Sequence, residues 1–162
     1  VKIDLIKIDF RVGIASGPAI IGNVGSTKRF DYTAIGDMVN LGSRLESVNR
    51  MYGTQVIVDK GTFTEVTENH NPFIFRQLDT VRVKGKKTET EIFELVTLAE
   101  TASDELKAML DDFENGRLLY TQRNFIDAKQ YFEAALKRVP SDSPSKIYFN
   151  RCNFYLRKPP PL

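Results

Sequence analysis

The sequence predicts a mixed α/β chain of the α+β kind: a mainly antiparallel sheet covered by helices on one side, then an all-helical unit. Three observations carry that expectation. Between residues 6 and 95, short apolar runs are separated by turn-forming residues. One long amphipathic segment, residues 36–52, lies among them. From Ser103 onward the apolar residues recur only at helical spacing.

Each element has its own signal. Residues 6–14 alternate as a strand does, and residues 18–24 form a second apolar run joined to the first through Ser16-Gly17. That pattern predicts a hairpin between the two. Residues 28–33 are polar and aromatic, and no element is assigned to them. Within 36–52, Met38, Leu41, Leu45, Val48 and Tyr52 make one stripe, and Gly53 supplies the stop. Residues 55–58 read as a short strand, 60–67 as a short helix and 68–72 as a loop. Residues 73–78, 80–83 and 91–95 read as three antiparallel strands, the last pair turning at Gly85-Lys86-Lys87. Three helices are expected at about 104–122, 126–138 and 144–156, the second broken by Pro140. Pro159-Pro160-Pro161 reads as an extended, polyproline-like tail. The change of pattern near Leu98 divides the chain into residues 1–98 and 99–162.

Composition excludes several classes. The 162 residues carry 23 Lys and Arg against 21 Asp and Glu, a net charge of +2. This is neither the basic excess of a general nucleic-acid binder nor an acidic tail. The apolar runs fall far short of the ~20 residues that cross a bilayer. Val1-Lys2-Ile3-Asp4 shows no signal-peptide pattern. A cytoplasmic segment with no nucleic-acid or membrane contact is expected, and the absent initiator Met suggests that it begins within a longer protein. A single cysteine, Cys152, rules out an internal disulfide and a multi-cysteine zinc site. With one histidine, His70, a zinc enzyme or a histidine triad is not expected either. The chemistry is left to carboxylates, amides, Arg and Lys.

Residues 32–46 are the most informative. Asn40 and Arg44 stand four apart on the predicted helix, so they leave one face a turn apart, beside the apolar stripe. Packing of the stripe would aim both at a neighbouring surface. An amide next to a guanidinium can hold a sugar oxygen and a phosphate together, because the planar fork of Arg offers paired donors. On spacing alone, a helix flank with a capping Asp37 and a surface Arg44 is the plainer reading. Burial of both groups in their own interior, or exposure to bulk solvent with no cavity nearby, would defeat a binding role.

Arg82, Lys84 and Lys86 alternate to one side of a strand and, with Lys87, form a cationic edge that could attract phosphate. Edge lysines that block aggregation explain the same run. The run from Gly22 to Lys28 lacks the spacing of a phosphate loop and reads as a turn in an extended hairpin. Asp4, Asp9, Asp31 and Asp37 show no pair clearly placed for Mg²⁺. His70 reads as a loop surface residue, and Cys152 as a packing thiol.

Taken together, these residues resemble a known family. Arg11-Val12-Gly13-Ile14-Ala15-Ser16-Gly17-Pro18, Gly22-Asn23-Val24-Gly25 and the stretch from Tyr32 to Glu46 look like the C-terminal half of a class III adenylate/guanylate cyclase catalytic domain. Phe75-Arg76-Gln77-Leu78, Val81-Arg82-Val83-Lys84-Gly85 and Ile92-Phe93-Glu94-Leu95 fit the last strands of that family. The resemblance covers about residues 8–97. It implies a ferredoxin-like cyclase sheet, incomplete at its N-terminal side. It also implies roles: Asn40 on the ribose, Arg44 on phosphate charge in the transition state, Lys84 on the terminal phosphates and Thr33 at the purine edge. Thr33 tilts the expectation toward ATP, and thus toward an adenylate cyclase in signal transduction.

The family's two metal-binding Asp residues and its purine-reading Lys precede the segment matching Arg11. Ligands for Mg²⁺ or Mn²⁺ are therefore expected upstream or from a partner chain. In this family two chains share each site, so the resemblance implies a homodimer to which this chain gives the Asn/Arg set, and an isolated fragment without activity. Gly116, Ala128, Phe132, Ala135 and Pro140 resemble one tetratricopeptide-type repeat, which implies a protein partner for the helical extension. A catalytically inactive dimerisation or regulatory module with that extension is the alternative reading.

Overall fold

The computed structural model describes residues 9–26, 29–69, 71–82 and 89–161. Its elements are β1 (Val12–Ile14), β2 (Ile20–Ser26), β3 (Arg29–Ile35), α1 (Asp37–Tyr52), β4 (Val56–Asp59) and α2 (Lys60–Glu68). They continue with β5 (Phe73–Arg82), β6 (Glu89–Leu98), a 3-10 turn (Ala99–Thr101), α3 (Asp104–Thr121), α4 (Phe125–Arg138) and α5 (Ser143–Arg157). Asp4, His70, Lys84 and the turn expected at Gly85-Lys86-Lys87 lie outside the described residues.

The mixed α+β class is as expected, but the strand pairing differs. Four strands form one sheet in the order β1-β4-β6-β5, with β1 parallel to β4 and the other pairs antiparallel. The hairpin expected between residues 6–14 and 18–24 does not form. Instead β2 pairs with β3, Ile20 opposite Ile35 and Ser26 opposite Arg29. The reason is that the unassigned stretch contributes to a strand, β3, which is the true partner of β2. Gly22 and Gly25 therefore lie within β2 rather than in a turn. The β2–β3 hairpin is a separate two-stranded sheet, with Ile20, Ile21, Val24, Tyr32 and Ile35 exposed. Residues 73–82 form one strand, not two, with irregularities at Ile74/Phe75 and Gln77/Asp79.

Helices cover both faces of the sheet, not one. Ile57 and Val58 are neighbours on β4 and point to opposite sides, yet both are buried. Val58 pairs with Phe93, whose ring stacks on Phe63 of α2 at 3.9 Å. Ile57 pairs with Glu94 and belongs to the core shared with Leu41 and Leu45 of α1. The stripe read from the sequence thus seats α1 on the sheet.

Two further features fix that seat. A side chain at Gly13 would put its Cβ 2.1 Å from the Gly42 carbonyl oxygen and 2.4 Å from the Glu46 nitrogen, so α1 can lie this close to β1 only over glycine. Asn49, fully buried, donates to the Val12 carbonyl at 2.9 Å and accepts from the Thr54 hydroxyl at 2.8 Å. Both bonds satisfy polar groups that would be costly to bury unpaired.

Of the three C-terminal helices, α3 and α5 meet the sheet at β5, and α4 packs on those two. Phe113, Phe132 and Tyr148, one from each helix, form their common aromatic centre. Arg76 of β5 reaches into it: its guanidinium lies over the Phe113 ring and binds Glu94 of β6 and Asp142 before α5. The Tyr148 hydroxyl donates to the Leu78 carbonyl at 2.6 Å.

Candidate active site

The candidate residues come from two adjoining elements. Thr33 lies on β3, opposite Gly22, and is exposed. β3 leads through Gly36 straight into α1, which buries Leu41, Leu45, Asn49 and Tyr52. Asn40 and Arg44 directly precede Leu41 and Leu45, so both turn outward beside the buried stripe, and both are exposed. The expected shared face therefore exists, on a helix held rigidly by Gly13 and Asn49. Asp37 is not the helix cap. Gly36 holds that position without a side-chain bond, and Asp37 is the first helical residue, where its charge suits the positive end of the helix.

A cavity beside this face was the second expectation. One cavity, of about 530 Å³, lies between α2, the sheet and α3, lined by Lys60, Phe63, Phe75 and Lys107 among others. A second, of about 400 Å³, is lined by Asp9, Arg11 and Glu94 among others. A third, near the proline tail, is lined by Tyr120, Phe125 and Tyr155. Thr33, Asn40 and Arg44 line none of these three. Asn40 and Arg44 are exposed and none of these three cavities adjoins them, so the cavities lend no support to the binding role.

No three metal-ligating side chains gather among the described residues. Asp9 stands 3.7 Å from Arg11, largely exposed. No helix among them is long and apolar enough to cross a membrane.

Sequence reasoning missed the groups that hold this face in place. Asn49 was one signal available: it falls four residues after Leu45, on the buried phase of the helix, where an amide must find partners. Arg76, Asp142 and Arg151 gave no such signal, because their partners lie far away in sequence.

Comparison with known proteins places the chain. The family described as adenylate and guanylate cyclase catalytic domain matches residues 2–97. The chain belongs to this family. The terminal-differentiation-specific adenylate cyclase of Dictyostelium discoideum is 34% identical over 147 residues, 90% of this chain and 7% of that protein. A match of that length extends into the helical unit. Adenylate cyclase 1 of Rhizobium meliloti is 42% identical over 86 residues, 53% of this chain and 12% of that protein. The cyclase-family chain thus spans a small part of these relatives' lengths. The crystal structure of the adenylyl cyclase CyaB from P. aeruginosa aligns at 29% identity over 57% of this chain and 45% of that one, with a TM-score of 0.46.

Proposed function

We propose that the chain is part of an adenylate cyclase that converts ATP to 3′,5′-cyclic AMP and pyrophosphate. In this reading it supplies the ribose- and phosphate-binding half of a site completed by a second chain. The supporting observation is that Asn40 and Arg44 share one exposed face of a rigidly seated helix inside the family match. Asn40 orients the ribose so that its 3′-hydroxyl can attack the α-phosphate in line. Arg44 stabilises the charge that develops on phosphate as pyrophosphate leaves; such chemistry depends mainly on positioning and charge stabilisation. Thr33 reads the purine edge and Lys84 meets the terminal phosphates. The family's Mg²⁺ or Mn²⁺ would be held by ligands upstream or from a partner chain, and no step here is assigned to it.

In this reading the second copy completes the pocket around Asn40 and Arg44. The exposed apolar hairpin β2–β3, which precedes α1, offers a contact surface for such a homodimer. The segment 1–98 then acts as the C-terminal portion of the catalytic domain. The segment 99–162 is a tetratricopeptide-like extension for a protein partner, in which the Phe132 ring packs against Gly116. The location is cytoplasmic, with no nucleic acid bound.

The test is cyclic nucleotide formation with Mg²⁺ or Mn²⁺. The intact protein should make cyclic AMP from ATP in preference to cyclic GMP from GTP, and the 162-residue chain alone should make neither. Robust turnover by the chain alone would refute the expected inactivity of the fragment. The same exposed face and hairpin also suit a non-catalytic dimerisation module, and an intact protein that dimerises but makes no cyclic nucleotide would establish that reading instead.

A further inference from the structure

The C-terminal end of α1, the helix that carries Asn40 and Arg44, rests on α5. Tyr52, its last residue, is buried and donates its hydroxyl proton to Asp79 of β5 at 2.5 Å. Arg151 of α5 binds the same two groups, Asp79 at 2.8 Å and the Tyr52 oxygen at 3.2 Å. Its guanidinium also lies over the rings of Tyr52 and Tyr148. Gly53 ends α1 at φ 68°, and a Cβ there would stand 2.5 Å from the Ser143 hydroxyl oxygen at the start of α5. Both ends of this contact are anchored: Asp142, just before Ser143, is held by Arg76, and the Tyr148 hydroxyl by Leu78.

We propose that α5 is a positioning element for the Asn40–Arg44 face, holding α1 in register through Arg151 on Tyr52 and Ser143 against Gly53. The role assigned to that face rests on the function proposed above; the mechanical coupling does not. An α-helix moves as a nearly rigid rod, so a shift at Tyr52 is carried to Arg44 two turns away. A misplacement of about 1 Å can lower turnover about 100-fold. The helical unit is thereby placed to transmit its own displacement to the catalytic segment.

The test uses Arg151→Met and, as a smaller perturbation, Tyr52→Phe, which removes only the shared oxygen. Amide exchange in the last turn of α1 should accelerate at least about tenfold in both, while exchange in α4 stays as in the parent. In the intact protein kcat should fall with KM little changed, and Arg151→Lys should restore part of it. Unchanged exchange in α1, or acceleration spread evenly over α1 and α4, overturns the proposal. If the unmodified protein makes no cyclic nucleotide, the functional reading fails, and the exchange measurement still decides the coupling.

Discussion

Arg76 on β5 and Asp142 before α5 meet at 2.9 Å, one guanidinium nitrogen reaching both carboxylate oxygens, with the two side chains 4% and 7% exposed. Arg76 also binds Glu94, so one buried cation joins the sheet to the helical unit between two acids. Burial holds the Glu94 carboxyl above its usual range, against the pull of Arg76. Asp142 in turn caps α5, accepting from the Ser145 amide at 2.9 Å.

Removing Arg76 alone should therefore be severe. Arg76→Met strands two buried carboxylates and should cost about 3–5 kcal/mol in urea unfolding. Adding Asp142→Asn, which still caps a helix, should recover part of that loss. A cost below about 1 kcal/mol for Arg76→Met would show that the clasp does not join the units.

Alkaline pH should weaken the fold. Burial, helped by the hydrogen bond to Asp79, raises Tyr52 to about 12, and burial also raises Tyr120 and Tyr148. The unfolded chain loses these protons near pH 10 while the folded chain keeps them. Stability is then fully present below pH 10 and falls between about 10 and 12, by up to about 1.4 kcal/mol per pH unit for each group. Urea melts from pH 8 to 11.5 check the slope, and Tyr52→Phe should reduce it.

Gly13→Ala should destabilise the sheet segment by at least about 2 kcal/mol, because the neighbours it would strike are the backbone of α1 rather than movable side chains. Thermal melting of the purified variant, compared with Gly22→Ala, makes the control: a Cβ at Gly22 meets nothing within 4 Å. Equal melting temperatures for the two would contradict the close seating of α1.

Cys152 is fully buried, and burial pushes its thiol up to about 11. A thiol-specific reagent at pH 8 should label it only on unfolding, so the labelling rate should rise steeply with urea. Prompt labelling in buffer would place it at the surface.

The local features of the chain were legible in its sequence, and the long-range ones were not. The stripe from Leu41 to Tyr52 and the stop at Gly53 gave α1 within a residue, since apolar phase and a left-handed cap are local properties. The three C-terminal helices followed from the same periodicity. Strand partners did not follow. Alternation shows that residues 12–14 are extended but not that they pair with β4 beyond α1, and the polar residues of 28–33 concealed the true partner of β2. At the site, spacing found the common face of Asn40 and Arg44. It could not find Arg151, whose contact with Tyr52 spans 99 positions.

The central claim, that the exposed Asn40–Arg44 face acts on a nucleotide, is tested most directly by the turnover of Arg44→Ala in the intact protein. Cyclic AMP formation from ATP should drop at least about 100-fold in kcat, as loss of one charge-stabilising group does, with the dimer and the melting temperature unchanged. Turnover within twofold of the unmodified protein would contradict the account.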